Sequence, residues 1–361
     1  MIGVVTTSYP RVLGDGAGNF VRRRVDALLA TGDTVEVIAA GMGDGHGIDG
    51  LDPRVFRVAA PTLFYGGGAP DRLEAGGAGV WGEALGFSLR QLRMVHARAG
   101  AWRSVESHWL LPCGLLARAA LPHLPHRANV HGGDLHLLSR LPLGRSLARA
   151  MCTPRTTLVF ASQGLRQLFE TLVDGPVDGR VAGVRVEAAP IDTILFQLAP
   201  PSEKGRARMR LGIRGRLVLS AGRLVPIKGM DVLVRAVGAL PEAARPSLMV
   251  AGEGPERGSL ARIAERLGVD LRLPGHIPAT ELSEWMAAAD VYVQPSRVLP
   301  GGRGEGMPLA AREAISRGLP LIATASGGLV ELQGLPGVTL IAPDDSASLG
   351  GALAAMLAKV A

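Results

Sequence analysis

Short apolar runs alternate along the chain with segments whose apolar residues recur at helical spacing. The first run covers residues 2–6, and similar runs follow at residues 35–39, 105–108, 128–131 and 157–161. Between the first two runs, apolar residues spaced three and four apart predict an amphipathic helix that stops at Gly32. Strands that alternate with helices predict βαβ units and a mostly parallel sheet.

A second series of strand-like runs begins at Arg216 and continues from Ser247, Asp290 and Leu319. Residues 198–205, between the two series, are rich in proline, glycine and charge, and we interpret them as a linker. A chain of 361 residues is also long for one compact domain. The sequence therefore predicts an α/β protein with two Rossmann-like, doubly wound domains, residues 1–196 and 197–361, that face a central cleft.

Composition narrows the classes of function. The apolar residues, 47% of the chain, are dispersed, and no run approaches the ~18 that a membrane span needs. No basic segment followed by a longer apolar one stands at the start, so we expect a cytoplasmic protein. The net charge of +7 suits a nucleotide or a membrane surface, although an arginine-rich genome explains it equally well. Aromatic residues are only 4%, which argues against a nucleic-acid partner.

Two loops in the N-terminal half follow predicted strands. Gly14, Gly16 and Gly18, followed by Asn19, would let a backbone approach a phosphate at a helix start, but they do not match the dinucleotide fingerprint, and a loop without ligand contact is the alternative. The segment from His131 to Asp134 comes directly after a strand, where side chains face the ligand crevice of a parallel sheet. Its His and Asp suit sugar hydroxyls; a turn whose His bonds only backbone groups is the alternative.

Two cations, Arg223 and Lys228, come shortly before the predicted helix start near residue 230. Gly222 and Arg223 follow a strand, and Lys228 precedes the helix. An arginine fork and a lysine point charge at this spacing suit a diphosphate. Only three of the 39 basic residues are lysines, which makes Lys228 more informative. A solvated pair of cations is the alternative.

The segment from Arg303 to Glu331 combines glycines with acids. Gly304 and Gly306 expose backbone N–H groups before a helix start, where an anion is favoured. Glu305 and Glu313 lie eight residues apart, and acids so near a phosphate would repel it unless they accept hydroxyl groups of a ribose or a sugar. The alternative is that neither glutamate binds a ligand: one acid interacts only with the dipole at the helix N-terminus, and the other is solvated.

Several motifs are missing from the sequence. It contains no Asp-x-Asp, the usual carboxylate anchor of a metal-bound sugar nucleotide, and no cysteine or histidine cluster with metal spacing. It also lacks a Gly-x-Ser-x-Gly elbow and a Walker A loop. We therefore expect neither a metal nor another cofactor.

Taken together, these motifs resemble those of a known family. Ser220-x-Gly-Arg-x4-Lys-Gly229, Ala251-Gly-Glu-Gly-Pro255, and Glu305-x7-Glu313 followed by Gly327-Gly-x2-Glu331 occur in the order found in the group 1, or family 4, retaining glycosyltransferases of the GT-B fold. The resemblance is closest over residues 216–345. It implies a metal-independent enzyme that moves a hexose from a nucleotide diphosphate sugar, such as a UDP- or GDP-hexose, to an acceptor hydroxyl with retention of anomeric configuration.

The resemblance also implies roles for individual residues. Arg223 and Lys228 would hold the donor diphosphate, Glu305 would contact the donor sugar, and Glu313 would bind the ribose. His131 would lie near the reacting carbon. Further donor contacts are expected from residues in four loops, among which His276 and Ile277 would lie near the nucleotide base: Gly16, Gly222, Gly306, Met307, Pro308, Leu309, His276 and Ile277.

Asn19 and Asp134 are expected on the acceptor side, and the acceptor is a carbohydrate, a lipid-linked molecule or a small molecule. Polysaccharide, glycolipid or glycoconjugate biosynthesis and a peripheral contact with the inner membrane are further expectations. The alternatives are a GT-B-like sugar-nucleotide epimerase or phosphorylase, and a non-catalytic subunit that binds a nucleotide sugar. The insertion-like residues 297–303 are expected to reshape the sugar pocket.

Overall fold

The computed structural model describes residues 1–11, 15–42, 45–46, 54–60, 62–64, 69, 72–73 and 76–359. The chain forms two compact units, Met1–Pro190 and Ile191–Ala361. The division falls earlier than the predicted boundary between residues 196 and 197, because Leu195 and Phe196 pack into the core of the second unit.

The N-terminal unit is built on one sheet with the strand order β3-β4-β2-β1-β5-β6-β7-β8 in its described part. Neighbouring strands are parallel except for β3 against β4. Its strands are β1 Ile2–Val5, β2 Val35–Gly41, β3 Gly45–His46, β4 Arg54–Ala59, β5 Ser104–His108, β6 His126–Val130, β7 Thr156–Phe160 and β8 Gly183–Val186. Its helices are α1 Asn19–Ala30, α2 Ala78–Arg98, α3 Leu115–Ala120, α4 Gly133–Arg140, α5 Gly144–Ala150 and α6 Gln163–Leu172.

The C-terminal unit has a fully parallel sheet with the strand order β11-β10-β9-β12-β13-β14 in its described part. Apolar clusters cover both of its faces, as expected for a parallel sheet. Its strands are β9 Leu217–Ala221, β10 Ser247–Ala251, β11 Leu271–Arg272, β12 Val291–Gln294, β13 Leu321–Thr324 and β14 Val338–Ile341. Its helices are α7 Pro201–Leu211, α8 Met230–Gly238, α9 Arg257–Leu267, α10 Ala279–Ala288, α11 Leu309–Ser316 and α12 Ser346–Lys359.

The interpretation of residues 198–205 as a linker is wrong, because α7 begins at Pro201. Proline is favoured in a first helical turn, where its missing N–H has no partner to lose. Glu203 in the first turn and Arg208 in the last turn match the helix dipole, and Gly212 ends the helix in the left-handed conformation with φ 67°. The proline and charge content that suggested a linker is thus the chemistry of a helix start.

No helix in the described ranges combines the length and the apolar character needed to span a bilayer.

Candidate functional site

The strand order of the C-terminal sheet reverses direction between β9 and β12. In open parallel sheets, ligands bind at such a switch point, beyond the carboxyl ends of the strands. The loop after β9 carries Arg223 and Lys228, and the segment after β12 carries Glu305. Two motifs that are far apart in the sequence therefore follow neighbouring strands at one switch point.

Lys228 and Glu305 form an ion pair there. The Lys228 Nζ to Glu305 Oε1 distance is 2.5 Å, and each side chain is 12% exposed. The other carboxylate oxygen accepts hydrogen bonds from Ser296 Oγ at 2.6 Å and from Gln294 Nε2 at 3.3 Å. We call Lys228, Gln294, Ser296 and Glu305 the ion-pair cluster. Charges that are largely removed from water need such additional hydrogen bonds, so Ser296 and Gln294 stabilise the ionised carboxylate.

A buried polar layer connects the ion-pair cluster to β9. Gln294 Nε2 also donates to Ser296 Oγ at 2.9 Å, and both residues are fully buried. The hydroxyl of Tyr292 lies 3.3 Å from Gln294 Oε1 and accepts a hydrogen bond from the backbone N–H of Ala221 at 3.0 Å. Burial is the main cause that raises the pKa of Tyr292, so the phenol stays protonated. These contacts fix the ends of β9 and β12 to each other.

Glycines allow the loops at the carboxyl ends of β9, β10 and β11 to touch. A Cβ atom at Gly252 would lie 1.8 Å from the carbonyl oxygen of Gly222, and the N–H of Gly252 donates to the carbonyl of Gly275 at 2.7 Å. The three backbones therefore stack in the order of the strands. His276, which was predicted to lie near the base, comes directly after Gly275 and is exposed.

Lys228 is positioned by its own short loop. It ends the 3-10 turn Pro226–Lys228, and Gly229 follows in the left-handed conformation with φ 62°. A Cβ atom at Gly229 would lie 2.1 Å from the carbonyl oxygen of Pro295, so only glycine fits. A Cβ atom at Gly222 would lie 3.2 Å from Cε of Lys228, which shows that the lysine crosses directly over this glycine.

The backbone of Glu305 is held by the loop after β13. Gly328 N–H donates to the carbonyl of Glu305 at 3.0 Å. Gly327 has φ 51°, and a Cβ atom there would lie 2.0 Å from the same carbonyl oxygen. The Gly-Gly pair before Glu331 therefore has a structural reason: it supports the segment that presents Glu305.

The start of α11 lies just after the ion-pair cluster in sequence. Pro308 is the N-cap of α11 and no side chain caps the helix, whose first residue is Leu309. Gly306 and Met307 lead into it, and Met307 packs against the core. Glu313 is 6% exposed, and its carboxylate is one of the charges that raise the pKa of Tyr292. An uncapped helix start beside two acids suits a ligand that has both phosphates and hydroxyls.

Two other predicted residues differ in exposure. Arg223 is exposed at the edge of the loop after β9. Ile277, predicted to lie near a nucleotide base, is half-buried and packs against the apolar core.

In the N-terminal unit, the glycine-rich loop is described from residue 15 onward; Gly14 lies outside the described residues. Gly18 has φ 73°, and a Cβ atom there would lie 2.4 Å from the carbonyl oxygen of Ser8. Gly16 is exposed, and Asn19 is the half-buried first residue of α1. Gly18 thus packs the start of α1 against the end of the segment that follows β1.

His131 lies directly after β6 in a group of aromatic rings. Its Nε2 is 3.1 Å from His108 Nδ1, and the two rings are stacked with centroids 5.3 Å apart. Phe20 of α1 meets the His131 ring edge-on at 4.8 Å, and Trp109 lies at 5.1 Å. Burial, followed by the neighbouring His108, lowers the pKa of His131 well below its usual value, so the imidazole is neutral. We call Phe20, His108, Trp109 and His131 the histidine cluster.

Asp134, predicted to lie on the acceptor side, accepts hydrogen bonds from the backbone. It is 2% exposed, one carboxylate oxygen accepts from the N–H of Gly132 at 2.8 Å, and the other accepts from the N–H of Leu110. Burial raises its pKa, and the hydrogen bonds from Leu110 and Gly132 oppose that rise. The carboxylate thus holds two backbone segments together, and its contact with an acceptor stays a prediction.

Comparisons with known proteins identify the family of the chain. The family described as "Glycosyl transferases group 1" matches residues 215–359, which include the whole ion-pair cluster. A D-inositol 3-phosphate glycosyltransferase from Xylanimonas cellulosilytica is 37% identical over 308 residues, 77% of this chain and 69% of that protein. The chain belongs to the group 1 glycosyltransferases.

A second relative and a solved structure are also similar to this chain. A GDP-mannose-dependent alpha-(1-6)-phosphatidylinositol monomannoside mannosyltransferase from Mycolicibacterium smegmatis is 34% identical over 213 residues, 56% of this chain. The match spans 53% of that relative's length. A sucrose-phosphate synthase from Thermosynechococcus elongatus superposes on this chain with a TM-score of 0.76 at 20% sequence identity. The superposition covers 100% of this chain and 90% of the synthase chain. The predicted GT-B fold is confirmed.

Sequence reasoning missed part of this glycosyltransferase's candidate site. Gln294 and Ser296 contact Glu305, and His108 contacts His131, yet none of the three was named as a site residue. All three lie at or just past the carboxyl end of a buried strand, which is the signal that would have found them.

The contact between Gly252 and Gly222 predicts a sharp difference between two glycine substitutions. Gly252→Ala should lower the melting temperature by roughly 4–8 °C, because φ is 139° and the new methyl group would collide with the Gly222 carbonyl. Gly258→Ala is the matched control, since it lies in α9 with no atom within 4 Å of the added Cβ. Scanning calorimetry should show an unchanged or higher melting temperature for the control. Equal effects of the two substitutions would contradict the close approach.

Proposed function

We propose that this glycosyltransferase moves a hexosyl group from a nucleotide diphosphate sugar to an acceptor hydroxyl, without a metal ion and with retention of anomeric configuration. The ion pair between Lys228 and Glu305 at the switch point supports this proposal most directly. It presents a cation for a diphosphate and an anion for sugar hydroxyls side by side, which are the two kinds of group that such a donor carries.

Glycosyl transfer makes the departing diphosphate more negative while the sugar becomes positive. A fixed cation at the phosphates therefore stabilises the transition state more than the bound donor. Lys228 would supply that charge from its position over Gly222, and exposed Arg223 would add a fork of N–H donors. Without the donor, Glu305 pairs with Lys228. When the donor binds, its diphosphate oxygens would contact the Lys228 ammonium, and a sugar hydroxyl would donate a hydrogen bond to the Glu305 carboxylate.

Glu313 and the start of α11 would bind the rest of the donor. The uncapped N–H groups before Leu309 suit phosphate oxygens, and the buried Glu313 carboxylate suits a ribose diol. A GDP- or UDP-hexose has each of these groups. The name of the mycobacterial mannosyltransferase favours GDP-mannose as the first donor to test.

The donor site predicts a specific loss on substitution of Lys228. In a thermal-shift panel of GDP-, UDP- and ADP-sugars, at least one donor should raise the melting temperature of the wild-type protein. Lys228→Ala should remove that shift, because it deletes the cation paired with Glu305. Lys359→Ala, at the exposed end of α12, is the matched control and should keep the shift. Stabilisation by no nucleotide sugar, or an undiminished shift in Lys228→Ala, would refute the donor site.

Retention of the anomeric configuration gives another testable prediction. We propose same-face attack, in which a leaving phosphate oxygen takes the acceptor proton, since the Glu305 carboxylate accepts hydrogen bonds from Ser296 and Gln294 and, with donor bound, from a sugar hydroxyl. The product of an α-linked nucleotide sugar should then be an α-glycoside, which the one-bond coupling between C1 and its proton in NMR reports directly. A β-product would overturn this mechanism.

We further propose that the acceptor is carried at a membrane and that α2 touches the lipid surface. Trp81, Leu85 and Leu89 are 43%, 63% and 50% exposed and lie four residues apart on one helix face, which continues with exposed Arg93. The carboxylate of Glu83 is engaged by the backbone N–H groups of Thr62 and Leu63. An apolar face with a tryptophan and a cation suits the interface of an anionic bilayer.

Vesicle binding tests this surface. The protein should sediment with phosphatidylglycerol-containing vesicles and less with pure phosphatidylcholine, and the double substitution Trp81→Ser and Leu85→Ser should weaken binding about tenfold or more, since it removes two large apolar side chains. Leu143→Ser is a matched control, because Leu143 is 67% exposed outside α2. Vesicle binding unaffected by the double substitution, or a stripe that instead mediates self-association in ultracentrifugation, would contradict the proposal.

A further inference from the structure

The loop after β13 holds both ends of the segment that joins Ser296 to Glu305. At the first end, the carbonyl of Ser296 accepts hydrogen bonds from Oγ1 of Thr324 and from Oγ of Ser326, the latter at 3.0 Å. At the other end, the carbonyl of Glu305 accepts from the N–H of Gly328 at 3.0 Å. One loop therefore fixes Ser296 relative to Glu305, although the two are nine residues apart in the sequence.

The side chains of this network are shielded from water. Gln294 and Ser296 are fully buried, and Thr324 and Ser326 are each 1% exposed. A buried hydroxyl costs free energy unless it is hydrogen-bonded, and each of the three hydroxyls here has a partner. The hydrogen bonds of this buried layer lead to one carboxylate, that of Glu305.

The side-chain hydrogen bonds converge on a single oxygen of that carboxylate. Oγ of Ser296 donates to Oε2 of Glu305 at 2.6 Å and accepts from Nε2 of Gln294 at 2.9 Å. The same Nε2 donates to Oε2 of Glu305 at 3.3 Å. The amide oxygen of Gln294 points away from the carboxylate, toward the hydroxyl of Tyr292 at 3.3 Å. Oε2 of Glu305 therefore meets two hydrogen-bond donors.

The two oxygens of Glu305 are for this reason not equivalent. An ionised carboxylate has about four lone-pair sites, two on each oxygen. Ser296 and Gln294 occupy the sites on Oε2, whereas Lys228 Nζ lies 2.5 Å from Oε1 and occupies one of its two sites. Among the contacts of the described residues, the remaining capacity of Glu305 to accept a hydrogen bond is thus on Oε1, beside Lys228.

We propose that Ser296 and Gln294 are positioning residues that close Oε2 to the ligand, so that Glu305 recognises the donor sugar through Oε1 alone. The two residues would not touch the sugar; they fix the rotation of the carboxylate, and the loop after β13 fixes Ser296. The difference between the two oxygens follows from the hydrogen bonds, whereas the sugar as partner of Oε1 rests on the proposed function.

Ligand affinity tests the positioning role, because a nucleotide sugar and its nucleoside diphosphate differ only by the sugar. Isothermal titration calorimetry would compare GDP-mannose with GDP or, if another donor stabilises the protein, that donor with its own nucleoside diphosphate. Ser296→Ala should weaken binding of the nucleotide sugar about tenfold and of the diphosphate less than about twofold, since it deletes a hydrogen bond to a charged group that contacts the sugar alone. Equal losses for both ligands, or no loss for either, would overturn the positioning role.

Thr324→Val makes this test independent of the folding of Ser296→Ala. It removes a hydroxyl that holds the carbonyl of Ser296 and keeps the shape of the side chain. It should weaken binding of the nucleotide sugar in the same direction by a smaller factor, about threefold, and leave that of the diphosphate unchanged. Unchanged affinity for the nucleotide sugar would contradict the role of the loop after β13.

Ser283→Ala is the matched control for both variants. Ser283 is 4% exposed, and its hydroxyl donates to the carbonyl of Leu195 at 2.8 Å, away from the ion-pair cluster in the same unit. The affinities of this variant for both ligands should stay within about twofold of the wild-type values, as expected for an independent site. A selective loss of sugar affinity in Ser283→Ala would show that any buried hydroxyl has this effect, and would refute the specific role of Ser296.

Glu305→Gln tests the difference between the two oxygens separately. Ser296 and Gln294 should capture the single amide oxygen, so the amide NH₂ would face Lys228 and the sugar. Glu305→Gln should therefore weaken binding of the nucleotide sugar as much as Glu305→Ala does, to within about twofold. Sugar affinity retained in Glu305→Gln but lost in Glu305→Ala would show that either oxygen can serve, and would overturn the proposal.

Failure of this inference and failure of the proposed function give different results. If no nucleotide sugar binds the wild-type protein, the proposed function is refuted and this inference with it. If a nucleotide sugar binds, and Ser296→Ala leaves the contribution of the sugar unchanged, only the positioning role is refuted.

Discussion

The ion pair between Lys228 and Glu305 is the interaction on which the C-terminal site depends. Two charges that are each only 12% exposed lose much of their hydration, and their attraction alone offsets this poorly. The hydrogen bonds of Ser296 and Gln294 make the arrangement stable, and the hydroxyl of Tyr292 connects this support to β9. The pair is therefore preorganised: both charges are already oriented, and the proposed donor, which supplies an anion and hydroxyls, would exchange with them without rebuilding the fold.

Preorganisation of this kind requires backbones to come closer than side chains allow. Gly252 touches the carbonyl of Gly222, and Gly327 touches that of Glu305. Each contact joins the loop at the carboxyl end of one strand to the loop of the neighbouring strand. The loops therefore lie side by side in the same order as the strands of the parallel sheet. Glycine at these positions is required by van der Waals contact, independently of any direct role in binding.

The sequence predicted what depends on local pattern and failed where distant residues decide. The alternation of strands and helices and the motifs around Lys228 and Glu305 could be predicted because they are local patterns. The ion pair between Lys228 and Glu305 could not be predicted, because it forms only when β9 and β12 become neighbours. The prediction of a linker at residues 198–205 was wrong because proline and charged residues are also common in the first turn of a helix, as at Pro201. The backbone hydrogen bonds of Asp134 were not predicted either, because spacing does not reveal that both its oxygens accept backbone N–H groups.

The two units use buried charge in different ways. In the C-terminal unit, Lys228 and Glu305 are themselves the groups proposed to meet the ligand, and their support lies beneath them. In the N-terminal unit, the charges of Arg24 and Glu106 stay one residue away from His131, and His108 separates them. A carboxylate placed directly beside His131 would favour its protonated form. With His108 between them, the carboxylate is kept away from His131, and burial keeps the His131 imidazole neutral although an ionised carboxylate lies on the same sheet.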